Sequence, residues 1–237
     1  MNPITDAVVW LNDPDNWQGP QGILSLTGQH LWISFLAVLI ACAIAWSLGL
    51  WLGHTGRGGN AVVVISNASR AIPTLALLTI LSSIGAWFFG TPATVISLAV
   101  FAIPPLLSNT YVGIRGVDPD VVDAARGMGL SASQTLWRVE VPLAIPLIAA
   151  GFRTAAVQVV ATTTLAALVG GGGLGNIINL GLGQQKSGVI LAGGFLVAVL
   201  ALATEGILAL AQRMLTPGRV RRKTTKPITA DPAGAAA

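Results

Sequence analysis

Residues 123–142, DAARGMGLSASQTLWRVEVP, lie in a polar island between two long apolar runs. From Arg115 to Val141 the chain carries seven charges: Arg115, Asp118, Asp120, Asp123, Arg126, Arg138 and Glu140. A segment so charged does not span a bilayer. Asp118-Pro119 reads as a helix start, with Asp as N-cap and Pro at the first helical position. The helix DVVDAAR then places Val121, Val122, Ala124 and Ala125 beside Asp120, Asp123 and Arg126. Gly127 and Gly129 can end it, because glycine tolerates the left-handed C-terminal conformation. Ser131 with Gln134 three residues later is a capping box that opens a second helix, expected to stop before Pro142. The expectation is two short helices joined by a glycine turn. Their mixture of small apolar residues and charges suits docking to a partner; the plainer reading is a hairpin with one solvated face.

On either side of this island the charges disappear. No Asp, Glu, Lys or Arg occurs between Asp15 and Arg57, between Arg70 and Arg115, or between Arg153 and Lys186. Each gap holds at least one run of about 20 apolar residues, the length of a membrane-spanning helix. The whole chain of 237 residues is 53% hydrophobic and 9% charged, too few charges to cover a soluble globule. A soluble enzyme is excluded on this ground. A nucleic-acid binder is excluded as well, because the net charge of +4 comes from the C-terminal tail and not from a basic face.

The apolar runs predict five spans in an all-α polytopic membrane protein: about 31–53, 61–84, 93–114, 143–169 and 189–211. Residues 1–29 read as an extracytoplasmic leader with a short interfacial helix near Ala7–Leu11, 30–212 as the transmembrane domain, and 213–237 as a basic, disordered cytoplasmic tail. Pro73 should kink or break the second span, and Pro104-Pro105 should kink the third. Gly170–Gly183 reads as a loop. Lys and Arg concentrate at Arg57, in 115–142 and in the tail, while Lys186 stands alone on the other side. The positive-inside rule then puts the N-terminus outside and the tail in the cytoplasm.

The polar island also resembles a known motif. It is similar to the EAA loop of permease subunits of binding-protein-dependent ABC importers (the MetI-like fold): Glu-Ala-Ala, three residues, Gly, nine residues, then Ile-x-Leu-Pro. Asp123 stands for the Glu, Ala124 and Ala125 match, Gly129 is correctly spaced, and Val139, Val141 and Pro142 close the pattern. The resemblance covers about residues 28–212. It implies that Asp123, Ala124, Ala125, Gly129, Val139 and Pro142 dock into an ATPase subunit, whose ATP-driven closure rocks two permease subunits between inward- and outward-facing states. ATP and Mg would sit on that partner, with no cofactor or metal on this chain. The phosphate loop G-x-x-x-x-G-K-[ST] does not occur in the sequence. The length leaves no room for a fused solute-binding domain, so an extracytoplasmic binding protein is a further expected partner, as is a second permease subunit, identical or different. Arg70–Leu78 (RAIPTLALL) and Val169–Asn176 (VGGGGLGN) resemble the osmoprotectant branch, which imports glycine betaine, choline, carnitine or proline.

Individual residues carry weaker signals. Arg70 would lie about 13 Å into its span by helical rise, either lining a pathway with Ser66, Asn67, Thr74 and Thr163 or snorkelling to the headgroups. Gly171, Gly172, Gly173 and Gly175 are candidates for an outer gate. Arg153 and Glu205 can form a pair inside the bundle. Thr162–Thr164 can line a pore or bond between helices. His30 and His54 flank the first span and read as interfacial, as do Trp10, Trp17, Trp32, Trp51 and Trp87. Cys42 reads as an apolar filler. The competing functions are a permease for another small amino-acid-like solute such as methionine, an ATP-independent secondary transporter, and, remotely, a membrane enzyme. The last lacks any cluster of acid, base or metal-ligating groups.

Overall fold

The computed structural model describes residues 2–59, 61–62, 64, 66, 68, 72–85 and 89–215, all helical or irregular, with no strand among them. We number the helices α1 (Pro3–Asn12), α2 (Ile23–Thr55), α3 (Thr74–Ser83), α4 (Thr91–Arg115), α5 (Pro119–Gly127), α6 (Ala132–Val169), α7 (Gly175–Gly183) and α8 (Ser187–Leu215). Among the described residues four helices, α2, α4, α6 and α8, are long and apolar enough to cross a membrane. The second expected span, 61–84, is described only in part. Its described C-terminal portion is α3, whose 10 residues are too short to cross alone. Pro73 is extended (φ −65°, ψ 118°) and α3 begins immediately after it, so the chain breaks where the proline predicts. Through Pro104 and Pro105, by contrast, α4 stays helical.

The bundle is built on small residues. Ala37, Ala41 and Ala45 line one face of α2 and are fully buried with Leu98, Ala102 and Leu106 of α4 and with Ala155 and Val159 of α6. A Cβ on Gly49 would lie 2.8 Å from Thr110, and one on Gly151 would lie 2.6 Å from Asn109. Lipid tails are as apolar as the helices. Association therefore depends on this close approach and on interhelical hydrogen bonds rather than on escape from water.

Four boundaries differ from the sequence expectation. The first long helix begins at Ile23 and not near residue 31. Thr27, Gln29 and His30 give its start a polar look, yet Thr27 Oγ1 donates to the Ile23 carbonyl and His30 is fully buried. The leader is not merely exposed: α1 packs on α8, with Ala7 buried and Asp6 against Gly188. Gly170–Gly183 is only partly a loop, since Gly175–Gly183 forms α7. The last helix continues to Leu215; the tail from 216 lies outside the described residues.

The largest difference is at Pro142. The helix opened by Ser131 does not stop there but runs into the next span as one helix, α6. It passes the proline by a π turn at Leu136–Glu140, in which the Val141 amide bonds to the Leu136 carbonyl five residues back. Widening the turn next to a residue that lacks an N–H accommodates it without ending the helix. The hairpin is therefore one short helix, α5, and the protruding root of a spanning helix.

Candidate functional site

The cap residues predicted for the hairpin are those observed. Asp118 Oδ1 accepts from the Asp120 amide at 3.0 Å, and Pro119 occupies the first turn of α5. The helix ends in a paired C-terminal motif: the Leu130 amide bonds to the Ala125 carbonyl (3.2 Å) and the Gly129 amide to the Arg126 carbonyl (2.9 Å). Such a closure needs a left-handed residue at its turn, and Gly129 has φ +87°. Gly127 stays helical, so Gly129 alone makes the turn. Both halves of the Ser131–Gln134 capping box are present, at 2.8 and 3.3 Å. These bonds satisfy backbone groups that would otherwise face water at each helix end, and they hold the hairpin in one shape.

Within that frame Ala125 is buried, while Asp123 and Ala124 are exposed. Asp123 meets Arg126 at 3.9 Å, both in solvent. Val121, Ala124 and Met128 recur at helical spacing and are all exposed, Met128 to 76%. They form an apolar stripe flanked by Asp120 and Asp123 at the tip of the hairpin. Val139 is half-buried and Pro142 exposed, both at the root. The motif residues thus divide between a tip that faces outward and a root that joins the bundle.

Of the pathway residues, Arg70 and Asn67 lie outside the described residues, as does Trp87. Ser66 is buried. Thr74 opens α3 and is half-buried. Thr163 is fully buried, with its hydroxyl 2.9 Å from Ser34 Oγ of α2 and donating to the Val159 carbonyl. It therefore bonds between helices, as do Arg153 and Glu205. Arg153 Nη2 lies 2.5 Å from Glu205 Oε1 with both side chains 37% exposed, and Arg153 Nη1 donates to Gln212 Oε1 at 3.0 Å. These contacts tie α6 to α8.

The glycine loop is packed between elements. Gly170, Gly172 and Gly173 have φ of +72°, +88° and +82°. A Cβ at Gly171 would collide with Thr94 Oγ1, and one at Gly175 with the Thr164 carbonyl. Gln29 Oε1 accepts from the Gly173 amide (3.4 Å) and His30 Nδ1 from the Leu174 amide (3.3 Å). His30 is not interfacial: it is fully buried, and Nε2–H donates to the Val160 carbonyl at 2.7 Å. His54, in the last turn of α2, pairs through Nδ1 with Glu140 Oε2 at 2.7 Å. Sequence reasoning missed the roles of Gln29, Ser34, His30, His54 and Glu140. Their partners lie 86 to 144 residues away along the chain, and no local pattern encodes that. Trp32 and Trp51 are exposed at the helix surface, as an interfacial belt requires.

Long apolar helices closed around small residues, with a capped charged hairpin at one end, mark a multi-pass membrane protein. The family model of the binding-protein-dependent transport system inner membrane component matches residues 43–218, and the chain belongs to that family. It is 35% identical over 195 residues to a glycine betaine/carnitine/choline transport system permease protein of Bacillus subtilis, covering 82% of this chain and 89% of that one. It is 38% identical to a carnitine transport permease protein of Listeria monocytogenes (84% and 90% covered) and 32% identical to an osmoprotectant import permease protein of Salmonella typhimurium (84% and 94%). The fold matches the inward-facing MetNI methionine ABC transporter with a TM-score of 0.70 at 21% identity, covering 82% of this chain and 96% of that one. The chain is accordingly a multi-pass subunit of the cytoplasmic membrane and a transport component, not an enzyme. Its family works with a separate ATPase and a solute-binding protein.

Proposed function

We propose that this chain is the permease subunit of an ATP-driven importer of small osmoprotectants such as glycine betaine, choline, carnitine or proline. The substrates after which its relatives are named support this class. The likeness to the methionine transporter, at 21% identity, speaks for fold alone and adds nothing to the methionine alternative. The mechanism assigns the hairpin tip to the ATPase. Asp123 and Ala124, with Gly129 shaping the turn, lie on a preformed docking surface that buried Ala125 supports from beneath, and Val139 and Pro142 lie where the hairpin meets the spanning helix. The observation that carries this reading is the exposed Val121–Ala124–Met128 stripe on a doubly capped hairpin continuous with α6. Displacing such a hairpin moves a membrane helix without needing a hinge. We assign the outer closure to Gly171, Gly172, Gly173 and Gly175, and the pathway to Arg70, Asn67, Ser66 and Thr74. The assembly contains a second permease subunit, identical or different.

The test is uptake of labelled betaine, choline, carnitine and proline by proteoliposomes holding this chain with its ATPase and binding protein. ATP-dependent accumulation of at least one is expected. Accumulation by this chain alone, without ATP, supports the secondary-transporter reading and overturns this one.

A further inference from the structure

The root of the hairpin presents a second feature, and it rests on the coupling reading just given. Glu140 is the last residue of the π turn and only 4% exposed. A carboxylate that far from solvent needs a partner, and removing the partner is costly. Its partner is His54, in the last turn of α2. Adding a residue to one helical turn rotates everything on one side of it by about 100° relative to the other. The π turn at Leu136–Glu140 therefore fixes the direction in which Glu140 leaves the helix.

The surroundings make this pair more than a packing detail. Beside it, α2 and the start of α6 are separated by an apolar cleft of about 510 Å³. Cys42, Trp46 and His54 line it from α2, and Leu136, Val141 and Ile148 from α6. Apolar contact across this region is incomplete, and the 2.7 Å His54–Glu140 bond crosses at its cytoplasmic end. Movement of the hairpin reaches α6 through the unbroken helix. From α6 it reaches α4 and α8 by direct packing. Helix α2 packs mainly on α4 and less on α6, so the His54–Glu140 bond is its direct side-chain link to the root of the hairpin.

We propose that His54 and Glu140 are positioning residues that link the ATPase-coupling hairpin to α2, so that α2 moves with α6 in the transport cycle. They touch neither substrate nor nucleotide. Their effect is on how much transport each ATP drives.

The experiment compares substrate accumulated per ATP hydrolysed in proteoliposomes carrying the complete transporter. With His54→Ala or Glu140→Ala, the ATPase stays bound in a detergent pull-down and hydrolysis continues, while the transport-to-hydrolysis ratio falls about tenfold. His54→Asn keeps an N–H donor where Nδ1 stood, and Glu140→Gln keeps the acceptor. Both retain most of the ratio. The double alanine variant is no worse than either single one. An unchanged ratio in the single alanine variants overturns the proposal. So does loss of the folded complex in the alanine variants together with normal ratios in every variant that assembles. Failure of the unmodified chain to retain an ATPase instead overturns the coupling reading itself, so the two failures are distinguishable.

Discussion

Nε2 of His30 on α2 lies 2.7 Å from the carbonyl oxygen of Val160 on α6, while Nδ1 of the same ring accepts from the amide of Leu174. Between those two contacts α6 changes from α to 3-10 geometry at Thr163, and the chain then turns through three left-handed glycines. In a continuing α-helix the Val160 carbonyl would accept from the amide of Thr164; tightening to 3-10 removes that donor. One neutral imidazole, a donor at Nε2 and an acceptor at Nδ1, thus holds both ends of the irregular segment. His30→Ala should destabilise the protein by about 2–4 kcal/mol, from a new cavity and two unsatisfied backbone groups. His30→Gln, which can reach Val160 but not both partners, should lose about half as much. Thermal unfolding in detergent measures both, and equal stability of all three proteins would falsify the clasp.

The hairpin glycines offer a paired comparison. Gly129 has φ +87° and Gly127 is helical, and a Cβ added at either would have no neighbour within 4 Å. Space is therefore equal and only backbone geometry differs. Gly129→Ala should cost about 1–2 kcal/mol, whereas Gly127→Ala should be neutral or stabilise by about 0.5–1 kcal/mol. Chemical denaturation monitored by Trp137 fluorescence would separate the two. A larger loss at residue 127 would contradict the assigned turn.

The elements that depended on nearby residues were the readable ones. Asp118-Pro119, the Ser131–Gln134 box and the break at Pro73 each follow from a backbone constraint a few residues wide, and each is present. The stop expected at Pro142 did not occur, because a π turn supplied a bond five residues away. The helix start at Ile23 was hidden because Gln29 and His30 look like loop residues until their partners at Gly173 and Leu174 are known. The Arg153–Glu205 pair was conceivable from composition, but only the fold brings the two residues together. For the candidate site, the tip was legible as a motif. The tie at its root was not.

If the Val121–Ala124–Met128 stripe is what the ATPase meets, a charge placed there acts without harming the fold, since all three side chains are exposed. Met128→Asp or Ala124→Asp should weaken ATPase association by about tenfold to a hundredfold, the range of a well-buried interface contact. The stability of the isolated permease should change by no more than about 0.5 kcal/mol. Co-purification in mild detergent, with a melting curve on the same samples, reads both quantities. Undiminished association would move the docking surface elsewhere.

The Arg153–Glu205 pair allows a test in which two substitutions are milder than one. Each side chain is 37% exposed, so solvent and headgroups share in its stabilisation and the pair contributes less than a sealed one. Glu205→Ala nevertheless leaves the Arg153 guanidinium in an apolar helix interface where, among the described residues, its remaining side-chain acceptor is Gln212 Oε1. A loss of roughly 1–2 kcal/mol is expected, since an unpaired charge among spanning helices is expensive. Arg153→Met combined with Glu205→Leu removes both charges and fills the space with apolar atoms. That double variant should recover most of the lost stability, because a well-packed apolar pair replaces an ion pair at little cost. Thermal melts of the single and double variants measure this. Transport by the double variant then separates two roles. Stable protein with normal uptake makes the pair a helix tie, whereas stable protein without uptake makes its charges part of the transport path.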